Sequence, residues 1–79
     1  MDNDQRLLQE VGDRLRAARK EIGLSQETLA HLSGLHRTYV SSIERGERNL
    51  SILNLLTLAT VLEVDASIFV LSLERKPKE

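Results

Sequence analysis

Leu8, Val11, Leu15, Ala18 and Ile22 recur at spacings of three and four, which sets them on one side of a helix over residues 5–22 that Gly23 ends. Gly12 lies inside that helix and weakens it by about 1 kcal/mol relative to alanine. Two shorter helices follow. Leu24 and Leu29 flank Ser25 as a hydrophobic staple flanks an N-cap, and the second helix then buries Leu29, Ala30 and Leu32 before Gly34 stops it. Leu35 and Val40 repeat the staple around His36, so a third helix is predicted from Arg37 to about Arg45, closed by Gly46. Ser51 caps a fourth helix, Ile52 to Leu62, with Ile52, Leu55, Leu56, Ala59 and Leu62 facing inward. Asp65 caps a fifth, from Ala66 to about Glu74. No stretch alternates as a strand would. The expectation is an all-α, compact five-helix bundle forming one domain over residues 1–79, ordered over about 5–74, with residues 75–79 a frayed tail around Pro77.

The second and third helices, separated by a turn containing Gly34, have the pattern of a DNA-binding helix-turn-helix. At about 100° per residue, Val40 and Ile43 point together toward the body of the protein, and the opposite side carries Thr38, Ser41, Ser42 and Arg45, with Arg37 at the helix start. Arginine can grip guanine O6 and N7 with both arms, and threonine offers a methyl group beside a hydroxyl. Small serines let the backbone approach the groove floor. Arg37, Thr38, Ser41 and Arg45 are therefore the candidate base readers. Gln26, His36, Tyr39, Ser42, Arg48 and Asn49 are candidate phosphate contacts, and Asn49 has an alternative role capping the loop before the fourth helix. Glu44 falls toward the buried flank, where at least one of Arg14, Arg16 and Arg19 is expected to pair with it.

VGDRLRAARKEIGLSQETLA, IERGERN and LLTLATVLEVDASIF occur in that order, and between Val11 and Leu73 the chain resembles the lambda-repressor and Cro-like helix-turn-helix family. Within it, HRTYVSSIERGERN followed by LEVDASIF is similar to the controller proteins of restriction-modification systems. The resemblance implies a homodimer that binds inverted-repeat operators, autoregulates its operon and touches RNA polymerase when it activates. The chain departs from the common pattern at Leu50, where proline is frequent, at Leu53, where a charged residue is frequent, and at Glu63, where glycine is frequent. A phage-type repressor or an autorepressing antitoxin of the same fold would share much of this pattern. A protein-interaction module that had abandoned DNA would have no reason to keep Arg37, Thr38, Arg45 and Arg48.

The last two helices carry more apolar surface than a domain of 79 residues can hide. Ile68, Phe69, Val70, Leu71 and Leu73, with Leu53, Leu58 and Val61 as the next candidates, are expected to supply a twofold dimer contact. Phe69 is expected to pack rather than to hold a ligand.

The net charge of −1 and the pI near 6.1 are unusual for a nucleic-acid binder, so the placement of charge matters more than its sum. Arg14, Arg16, Arg19 and Lys20 form one basic run and Arg37, Arg45 and Arg48 another, whereas Asp2, Asp4, Glu10, Glu63, Asp65, Glu74 and Glu79 lie toward the ends and the later helices. With no cysteine, thiolate metal sites and disulfides are excluded, and His31 and His36 lack further ligands at metal spacing. No cofactor, metal or small-molecule ligand is expected. Neither a glycine-rich phosphate loop nor a nucleophile relay points to an enzyme. The polar start, Met1 to Glu10, is unlike a signal peptide and no stretch suits a membrane span, which leads to a cytoplasmic expectation.

Overall fold

The computed structural model describes residues 3–77, and among these the regular elements are all helical. They are α1 (Asn3–Glu21), α2 (Gln26–Ser33), α3 (Arg37–Glu44), α4 (Ile52–Leu62) and a 3-10 turn (Ala66–Phe69). Local chemistry sets most of the boundaries. The Ser25 hydroxyl accepts the Thr28 N–H at 3.0 Å to open α2, and the Ser51 hydroxyl accepts that of Asn54 at 3.2 Å to open α4. Gly34, at φ 69°, closes α2 in the left-handed conformation, and the Leu35 N–H reaches back to the Ala30 carbonyl at 2.9 Å. At the end of α4 the same conformation falls on Glu63, with φ 60°, so a side chain occupies a position that favours glycine.

The expected fifth α-helix is instead one 3-10 turn. Val70 leaves helical geometry and Ser72 adopts φ 64°. Arg14 takes up the acceptors left open there, its Nη1 donating to the carbonyls of Ile68 at 3.0 Å and Leu71 at 2.8 Å, which a continuing helix would use for residues 72 and 75. Beyond the turn, Arg75 donates twice to Asp4 of α1, at 2.7 and 2.9 Å, which fastens part of the segment expected to be a tail. The last two residues of that tail, Lys78 and Glu79, lie outside the described residues, as does Asp2.

Leu15 of α1, Leu29 and Ala30 of α2, Val40 and Ile43 of α3, Leu55, Leu58, Ala59 and Leu62 of α4, and Phe69 build one core. Leu58 and Phe69 are fully buried inside a single chain, which removes both from the expected dimer contact. The buried stripe of α4 runs through Leu55, Leu58, Ala59 and Leu62, so Ile52 and Leu56 face outward rather than inward. Ile22 is also exposed because α1 ends one residue before it, and Leu32 is exposed on α2. Val61 and Leu73 are half-buried.

Gly12 has a tertiary reason that offsets its low helix propensity. A Cβ there would sit 2.4 Å from the Ile43 carbonyl oxygen and 2.8 Å from that of Glu44, so α1 crosses directly over the last backbone turn of α3. Alanine at this site should therefore lower stability by about 1 to 3 kcal/mol, as overpacking against backbone does. Urea unfolding of Gly12→Ala against the parent chain checks this, and a stabilised variant would mean that helix propensity dominates.

Candidate nucleic-acid interface

An eight-residue helix is too short to persist alone, and the His36 side chain makes no capping hydrogen bond at the start of α3. Tertiary contacts hold it. Val40 and Ile43 anchor its inner side, and the last residue, Glu44, is completely buried as a carboxylate. Its Oε2 accepts Arg19 Nε at 2.7 Å, while its Oε1 accepts Arg19 Nη2 at 2.9 Å, Gln26 Nε2 at 3.0 Å and Arg16 Nε at 3.4 Å. Arg16 Nη2 also donates to the Glu44 carbonyl at 3.3 Å, and Arg19 Nη1 to the Leu24 carbonyl at 2.8 Å. One carboxylate thus ties α1 and α2 to the end of α3.

Burial opposes the charge on Glu44, and the bonds from Arg19 and Gln26, the attraction of the Arg19 guanidinium and the bond from Arg16 together outweigh it, holding the carboxyl below its ordinary 4.5. The Arg19 guanidinium is shifted upward, chiefly by its hydrogen bond to Glu44. The sequence pointed to at least one of three arginines as a partner of Glu44; Arg16 and Arg19 both take the role, and Arg14 binds the carbonyls of Ile68 and Leu71 instead.

With the inner side fixed, α3 turns the remainder of its surface outward. Arg37, Thr38 and Arg45 are exposed, and Ser41, Ser42 and Tyr39 are half-buried. An open groove of about 610 Å³ runs beside them, lined among others by Leu35, His36, Thr38, Tyr39, Ser42, Arg45 and Arg48. The Arg37 guanidinium has no partner among the described residues. Arg45 is held, with Nε and Nη2 donating to the two carboxylate oxygens of Glu47 at 3.1 and 3.0 Å and Nη1 donating to Ser41 Oγ. The Arg48 guanidinium lies 5.1 Å from the Tyr39 ring centroid, in cation–π range.

Several expected phosphate contacts are occupied within the chain. The Gln26 amide nitrogen is turned inward to Glu44, and Ser42 Oγ donates to the Tyr39 carbonyl at 2.8 Å. Tyr39 packs partly on the core, and its hydroxyl accepts Asn54 Nδ2 at 3.0 Å. Asn49 is exposed but lines a separate hollow with Asp4, Leu7, Leu8 and Arg75, away from the α3 groove. Asn54 was absent from the sequence reading. A lone amide within the apolar run of α4 was the signal that could have found it.

Residues 15–69 match the family described as helix-turn-helix. The chain belongs to the helix-turn-helix family. This is a family of DNA-binding transcription regulators and not of enzymes. Control protein C.SmaI of Serratia marcescens is 48% identical over 52 residues, which cover 66% of this chain and 62% of that relative, so the chain spans about three fifths of its length. Among solved structures, the restriction-modification controller protein C.AhdI from Aeromonas hydrophila superposes with a TM-score of 0.77 and 53% identity over 78% of this chain and 94% of its own. The controller protein C.Esp1396I, crystallised as a tetramer with its natural 35 base-pair operator, gives 0.72 and 44% identity over 80% of this helix-turn-helix chain and 83% of its own.

Removing either member of the buried pair leaves the other charge buried with fewer partners. Glu44→Ala and Arg19→Ala are each expected to lower stability by about 3 to 5 kcal/mol. Because the Glu44 pKa falls on folding, its contribution is present above the unfolded value near 4.5 and is lost as pH drops through the folded value. Denaturant titrations at pH 7 and at successively lower pH should show Glu44→Gln losing less stability to acid than the parent chain; parallel pH curves would overturn this assignment.

Proposed function

We propose that this chain is a restriction-modification controller protein: a sequence-specific regulator that binds an inverted-repeat operator as a homodimer and autoregulates its operon. The outward face of α3 carries the reading, with Arg37, Thr38 and Arg45 presented together on a helix whose rotation is set by the buried Glu44. The identity with C.SmaI and C.AhdI and the operator-bound form of C.Esp1396I favour the controller class over a phage-type repressor or an antitoxin.

Arg37, Thr38 and Arg45 read bases, and Ser41 approaches the groove floor while orienting Arg45. His36, Tyr39 and Arg48 line the same groove and meet phosphates. Gln26, Ser42 and Asn49 are assigned a smaller part in phosphate binding, because the first two spend their donors inside the chain and the third lies off the groove. Two such helices related by a twofold axis would enter successive major grooves, with half-site centres about 34 Å apart.

Leu53, Leu56, Ile68, Val70 and Leu71 remain exposed on α4, within the 3-10 turn and just after it, and this surface supports a contact with a second copy. A low dimer concentration would activate through contact with RNA polymerase, and a higher one would repress by filling a second site. The setting is cytoplasmic; among the described residues no helix is long and apolar enough to cross a membrane. The single helix-turn-helix domain is taken to span residues 1–79.

Arg37→Ala is expected to cost about 1 to 3 kcal/mol of discrimination at one base pair of each half-site, the worth of a bidentate guanine contact. Arg48→Ala should weaken binding to all duplexes evenly. Titrations against a panel of single-base operator variants separate the two, and an unchanged preference profile for Arg37→Ala would sink the base-reader assignment.

Leu71 is 64% exposed and Val70 48%, so a charge at either position leaves the core of one chain intact. Leu71→Glu and Val70→Glu should give folded monomers with much weakened operator affinity. Analytical ultracentrifugation beside circular dichroism measures this; two variants that stay dimeric and bind normally would place the contact elsewhere, with Leu53 and Leu56 next in line.

A further inference from the structure

A guanidinium carries five N–H bonds. In Arg45, three of them are already directed to acceptors, two to the Glu47 carboxylate and one to Ser41 Oγ. Two remain, one on each terminal nitrogen, the number of donors that the paired O6 and N7 acceptors of guanine require. The side-on carboxylate grips Nε and Nη2, and the serine, one turn earlier on α3, grips Nη1, so the plane of the guanidinium is set from both flanks.

Glu47 is otherwise hard to account for. It is an exposed carboxylate three residues beyond the end of a helix that is to lie against phosphates, where its own charge opposes binding. Holding Arg45 gives that position a purpose. An arginine free in solvent must be ordered when it meets a base, whereas this one is ordered beforehand.

We propose that Glu47 is a specificity-positioning residue: by fixing Arg45 as a preset two-hydrogen fork, it sets base discrimination at the operator position that Arg45 reads, at the expense of overall DNA affinity. The inference rests on the reading of Arg45 as a base contact. It predicts a division of effects that simple repulsion cannot produce, since repulsion acts on every sequence alike.

Duplexes selected from a randomised library with the full chain define the preferred base at each position. Arg45→Ala then locates the base pair at which discrimination depends on Arg45. Glu47→Gln keeps the shape of the side chain, replaces two carboxylate acceptors by one, and is expected to raise affinity for unrelated duplexes while lowering the preferred-to-substituted affinity ratio at that base pair by about 2- to 10-fold, the equivalent of leaving one long side chain to be ordered on binding. Glu27→Gln, on the exposed side of α2, serves as a charge control and should leave every ratio unchanged. In an Arg45→Ala background, Glu47→Gln should have no further effect on the ratio. A Glu47→Gln variant whose affinity changes equally for all duplexes overturns the proposal while leaving Arg45 as a base reader. If Arg45→Ala alters no ratio at any position, the base contact itself fails, and the proposal falls with it.

Discussion

The Glu44 carboxylate is removed from water entirely, and the orientation of the recognition helix follows from the way its charge is satisfied. A buried ion that lost its hydration without replacement would cost several kcal/mol, so the fold is restricted to arrangements that bring Arg16, Arg19 and Gln26 to it together. That restriction is geometric. Apolar side chains at Val40 and Ile43 make α3 adhere to the core but tolerate some rotation about its axis; four hydrogen bonds converging on two oxygens do not. Gly12 completes the arrangement by letting α1 approach the carbonyls of Ile43 and Glu44.

The same interaction redistributes charge. Arg14, Arg16 and Arg19 look in the sequence like a basic helix face, yet the first anchors the carbonyls after the 3-10 turn and the other two are committed to Glu44. Arg37, Arg45 and Arg48 supply the positive charge at α3 and its exit, with Arg45 partly neutralised by Glu47. A chain with a net charge of −1 can thus present a small, directed positive face.

At the other end of the molecule, the limits of a small core decide what stays outside. Phe69 and Leu58 are spent in the core, and the apolar residues left over fall on the outer side of α4 and in and after the turn. Asn54 connects this half of the molecule to the other through its bond to the Tyr39 hydroxyl, so the helix proposed to meet a second copy also steadies a groove-lining side chain.

The residue pattern alone determined the elements whose causes are local. Ser25 and Ser51 bond to backbone N–H groups three residues away, and Gly34 supplies a conformation that its own lack of Cβ permits, so α2 and α4 were legible almost to the residue. The outward set on α3 was legible too, because helical periodicity places Val40 and Ile43 opposite Thr38 and Arg45. Tertiary structure decided whatever depended on partners distant along the chain. Arg14 caps the carbonyls of the last turn from 54 residues away, Leu58 rather than Leu56 met the core, Gly12 lies in close contact with α3, and the polar groups of Gln26, Tyr39 and Ser42 were engaged before any ligand arrives. Hydrogen-bond partners and burial across long separations are properties of packing in three dimensions, and a one-dimensional period carries no record of them.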